Sequence, residues 1–97
     1  MTLSKPKIDA LVESAMFYRE SVYNPLDPES LDLCGKIEFF CSQLLTRKLP
    51  GLTLGQIQNC CIFLDFFIEN HPHPDRLVVH RSLLALYENA LRIHRGE

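Results

Sequence analysis

No stretch of this chain comes near the roughly 20 consecutive apolar residues that a membrane-spanning helix requires. The opening segment, Met1 to Lys7, also lacks the apolar core of a signal peptide, so a cytoplasmic protein with no membrane partner is expected. Charge of one sign is lacking too: ten basic residues face twelve acidic ones, a formal net charge of −2. The halves are equally balanced, six basic against seven acidic through Lys48 and four against five beyond it. Without a one-signed field there is little to draw in nucleic acid or an anionic membrane non-specifically. Strand signals are missing, since neither period-2 alternation nor an Asn-Gly or Asp-Gly hairpin turn occurs. The Cys-x-x-Cys pairs of thiolate metal and redox motifs are missing as well.

What is there reads as one globular domain over residues 1–97, 46% hydrophobic and 23% charged. Apolar residues recur at helical spacing in four segments, approximately 5–23, 28–48, 54–70 and 75–94. Ser4 is the expected cap of the first, with Pro6 in its opening turn. Asn24 to Pro28 ends that helix, and Asp27 with Pro28 starts the next. Arg47 and Lys48 are expected in the last turn of the second helix, where cations suit the dipole. Pro50-Gly51 marks a turn, and Thr53 with Gln56 forms a capping box for the third helix. His71-Pro72-His73-Pro74 breaks it, and Asp75 is the expected cap of the fourth. Short connections favour antiparallel neighbours, so the expected architecture is an all-α, up-down-up-down four-helix bundle.

The apolar surface is unevenly distributed. Val79, Leu86 and Ile93 widen the apolar arc of the fourth helix to about 200°, more than a surface helix needs. Ile62, Phe63 and Phe66 lie off the main stripe of the third, and Phe17 and Phe39 lie off the stripes of theirs. The first two helices thus read as cover, and the third and fourth as carrying a face for another chain. A non-enzymatic protein–protein interaction module is expected, of regulatory or adaptor type, with a protein partner or itself as a homodimer. Its anchors are Phe39, Phe63, Phe66, Val79, Leu86 and Ile93.

The competing chemistry is thiol-based. Cys41, Cys60 and Cys61 fall in one layer of an antiparallel hairpin, where a disulfide or a partial metal site is conceivable, whereas Cys34 stands two turns away. All four fall inside helical patterns, where small buried core residues are commonest. The His71-x-His73-x-Asp75 run reads foremost as a solvated turn. Gly51 to Ile57 resembles the helix starts of helix-turn-helix regulators, but capping accounts for it and the helix carries no Lys or Arg. A helical DNA-binding regulator therefore ranks lower still. Neither catalysis nor a cofactor is expected, and a small apolar ligand is neither supported nor excluded.

Overall fold

A computed structural model describes residues 3–49 and 51–96. Four α-helices make the fold: α1 (Lys5–Val22), α2 (Pro28–Leu45), α3 (Leu54–Glu69) and α4 (Val78–His94). A short 3-10 turn over Pro74–Arg76 precedes α4, and there is no strand among the described residues. Pro50, expected in the turn before α3, lies outside the described residues.

The helix ends follow local chemistry. The Asp27 carboxylate accepts from the Glu29 amide at 3.1 Å, with Pro28 at the first helical position. Thr53 and Gln56 satisfy each other's backbone amides at 3.1 and 2.9 Å, completing the capping box. Two expected caps are corrected. Ser4 contributes its carbonyl, not its hydroxyl, accepting from Ile8 at 3.0 Å. Asp75 falls inside the 3-10 turn and caps nothing; α4 begins only after Leu77.

α2 also stops three residues before the expected boundary. Lys48 N–H donates to the Gln43 carbonyl at 3.0 Å and Arg47 N–H to the Leu44 carbonyl at 3.2 Å. These are the paired bonds of a Schellman motif, and they hold Arg47 at φ 56°, a position where glycine is the usual occupant.

The helices run up, down, up, down. Ile8 and Leu44 share a cluster with Cys60, Leu64, Leu83 and Tyr87, while Ala15 meets Ile37, Cys41 and Phe63 further along. α1 is thus antiparallel to α2 and α4 and parallel to α3. The lateral order differs from a square bundle, in which the first and third helices stand on a diagonal. Here α1 packs closely on all three other helices, and α2 approaches the backbones of α3 and α4 only sparsely.

The expectation that α1 is cover is therefore corrected: it is the hub. The reason lies in its small residues. Ala10, Ser14 and Ala15 are fully enclosed, and Cα atoms approach closest where side chains are short. Ser14 enters the core without stranding a polar group, because its hydroxyl donates to the Ala10 carbonyl at 2.8 Å. A reading that counts large apolar residues assigns this helix one stripe and overlooks its buried small face.

Rings fasten α1 to α3. Phe17 meets Phe66 and Phe67 at 5.6 and 5.4 Å, and Tyr18 meets Phe63 and Phe66 at 5.3 and 5.4 Å. Phe67 then stacks on His80 of α4 at 5.0 Å, and His80 Nε2 contacts Glu13 Oε1 of α1 at 2.8 Å. At the far end of α1, Arg19 pairs with Glu38 of α2.

Leu11 and Leu64 are wholly buried in the larger cluster. Leu11→Ala is expected to lower the unfolding free energy by about 2–5 kcal/mol, whereas Phe39→Ala should stay within about 0.5 kcal/mol. Urea denaturation followed by circular dichroism checks both; equal effects would contradict the core assigned to α1.

Candidate functional site

The six expected anchors separate into three groups. Phe63 is 6% exposed, packed with Ala15, Ile37 and Cys41, and offers no surface. Phe66 is half-buried in the ring cluster on α1. The aromatic part of the α3 surplus is thus consumed inside the domain, because α1 lies beside α3 rather than across a diagonal. Ile62 stays exposed, but on a different side of α3 from Cys61, which feels Glu88 of α4 and Arg95 just beyond its end. Phe39 is 66% exposed on α2, which shares no extensive contact with α4.

Val79, Leu86 and Ile93 remain, exposed by 39, 44 and 66%. They are spaced by seven, so they form a nearly straight line, drifting by only about 20° per step. The line runs about 21 Å at 1.5 Å per residue. Val78, Ser82 and Asn89 flank it, and none of these six side chains is charged. Val79 borders a shallow cleft with Ala10, Asp9 and Glu13 of α1, so the line lies on the α1 side of α4. The opposite flank of α4 carries Glu88 and Arg95, beside Cys61. Leu83, Tyr87 and Leu91 take the core-facing side. The wide arc of the sequence is therefore two adjacent faces, one buried and one free.

Charge that is balanced along the sequence is segregated along the bundle. Lys5, Lys7, Arg47, Lys48, Arg92 and Arg95 gather where α1 and α3 begin and α2 and α4 end, against Asp9 and Glu88 among the described residues. The opposite end carries Glu20, Asp27, Glu29, Asp32, Asp65, Glu69 and Asp75 against Arg19, Arg76 and Arg81. Antiparallel folding creates this polarity by bringing the first helix's start beside the last helix's end.

The thiols are placed differently from a reactive site. All four cysteines are free. Burial pushes the Cys60 thiol from 9.0 up to about 12, with Cys61 and Cys41 adding to the rise. Burial and then Glu38 lift Cys41 to about 11. Cys61 is also raised, by burial first and then by Glu88 and Asp65, with Arg95 opposing. A thiol held protonated is a poor nucleophile and a poor metal ligand. No group of three or more His, Cys, Asp or Glu side chains is arranged to hold a metal among the described residues. In the His71–Asp75 turn, the His73 amide donates to His71 Nδ1 at 3.0 Å.

Two further features escaped the sequence. A cavity of about 420 Å³ opens at the basic end, lined by the start of α1, the end of α2 and Tyr87 of α4. The Tyr87 hydroxyl is buried without a hydrogen-bond partner, and burial, followed by Cys60 and Cys61, drives its pKa upward. Cavities depend on residues far apart in the chain, and no spacing rule reports them.

No described helix is long and apolar enough to cross a membrane. No family model matches the chain, and no curated protein and no solved structure matches it.

Because Cys41 and Cys60 titrate higher folded than unfolded, the fold keeps their protons longer. Their contribution is fully present below the ordinary value of 9.0 and is lost as pH climbs toward about 11 and 12. Urea midpoints measured across this window should fall with pH, and Cys60→Ala should flatten the slope. Unchanged slopes would contradict thiol burial.

Proposed function

We propose that the chain is a non-enzymatic helical interaction module that self-associates through the free face of α4. The observation that carries the reading is the uncharged line of Val79, Leu86 and Ile93 at heptad spacing, the surface that another helix covers in a coiled-coil seam. The occupant proposed is a second copy of the same chain, antiparallel about a two-fold axis through Leu86.

Two features favour that occupant. Val79 and Ile93 are equidistant from Leu86, so a two-fold axis there sets each Val79 against the partner copy's end of the line. The same axis lays the basic end of one bundle beside the acidic end of the other, so the polarity of the fold is complementary to itself. A parallel pair would juxtapose like ends. Leu86 would then meet its own counterpart, and aliphatic contact at the centre of an interface is where burial contributes most.

The four free thiols fit a reducing compartment such as the cytoplasm. The reading needs no cofactor, nucleic acid or membrane. Thiol sensing or metal binding through Cys41, Cys60 and Cys61 has less behind it, since Cys41 and Cys60 are buried, Cys61 is half-buried, and thiols with raised pKa neither attack nor ligate readily.

Light scattering at increasing protein concentration should approach the mass of two chains. Leu86→Glu sets two carboxylates against each other on the axis and should return a monomer with unchanged helix content. Phe39→Glu, on α2, should leave association intact. A strictly monomeric wild-type protein sinks the self-association.

A further inference from the structure

The cavity at the basic end has the make-up of a ligand site, and it lies apart from the free face of α4. Its volume of about 420 Å³ falls within the range of small-molecule pockets. Aliphatic side chains from three parts of the chain form most of the wall: Ile8 of α1, Leu44 of α2, and Leu52 and Ile57 around the start of α3. Such a wall favours an apolar occupant. The ring of Tyr87 forms the α4 side.

Apart from Tyr87, whose hydroxyl is buried, polar side chains enter the lining from one place. Gln43 and Arg47 stand together at the end of α2. Arg47 is held at φ 56° by the Schellman bonds, and one guanidinium nitrogen donates to the Leu3 carbonyl at 3.2 Å. It forms no ion pair among the described residues, so no described carboxylate neutralises its charge. Arginine offers five donors in a planar fork, and the remaining ones are suited to a carboxylate. Lys48 adds to the local positive field. An aliphatic enclosure with a single cationic group at its side is complementary to an anion with an alkyl tail.

We propose that this cavity binds a free medium-chain monocarboxylate, its carboxylate on Arg47 and Gln43 and its tail against Leu44, Ile57 and Tyr87. A tail of roughly eight to twelve carbons is of the right order for the space. A neutral alcohol of the same length should enter the same space without the ionic contact.

Calorimetric titration of the full chain with decanoate, and separately with decanol, tests this. Decanoate should bind one per chain. Arg47→Met should weaken it by about tenfold, the equivalent of one charge-assisted hydrogen bond, while changing decanol by less than about twofold. Leu52→Trp, which fills the cavity from the connection before α3, should abolish both, with circular dichroism reporting whether each variant keeps its helices. Three results would overturn the proposal. The first is no binding of decanoate up to about 1 mM by the folded wild-type chain. The second is decanoate binding that Leu52→Trp leaves intact, which places the anion on the basic surface. The third is an equal loss of both ligands in folded Arg47→Met, which removes the ionic contact.

Discussion

The whole arrangement rests on how closely α1 can be approached. With Ala10, Ser14 and Ala15 enclosed, and Ser14 satisfied by the helix's own backbone, three helices reach α1 at once. Larger residues at those positions would hold the neighbours apart and favour a square bundle with α1 and α3 on a diagonal. The ring cluster of Phe17, Tyr18, Phe63 and Phe66 then fills the space beside the hub. Because α3 spends its aromatic surplus on α1, the line of Val79, Leu86 and Ile93 on α4 is left free, and Leu31, Phe39 and Leu45 stay exposed on α2.

Much of the architecture was legible from the residues. Helix number, caps at Asp27 and Thr53, and the up-down-up-down directions all follow from short-range rules on neighbouring residues. The early stop of α2 was not legible, because it depends on Arg47 adopting a left-handed backbone that glycine usually occupies. Nor was the lateral order: periodicity tells which side of a helix is apolar, not which helix it meets. That is why Phe63, named as a surface anchor, sits in the core while Val79, Leu86 and Ile93 do lie exposed. The cysteine layer shows the same limit. Spacing brought Cys41 and Cys60 together, but it did not report the enclosure that pushes both thiols above their ordinary value.

Two surfaces of different character result, and the fold keeps them apart. The free line of α4 is straight, aliphatic and uncharged, and it suits a rigid helix. The cavity is concave, enclosed by the starts of α1 and α3 and the end of α2, and flanked by Arg47. Tyr87 belongs to the core-facing side of α4, while Leu86, one residue away, faces outward. Neighbours in sequence on one helix therefore serve separate surfaces.

The central position of α1 also bears on how the chain is made. Of the four helices α1 is made before the others yet is completed last, since only α2 is at hand to cover it until α3 and α4 have been added. Its remaining apolar side must wait, exposed, while α3 and α4 are still to be translated, and such transient surfaces are where nascent proteins aggregate. The small residues that let the finished bundle close tightly also keep that waiting side modest in area. Compactness in the product and safety during synthesis are here two effects of the same few atoms.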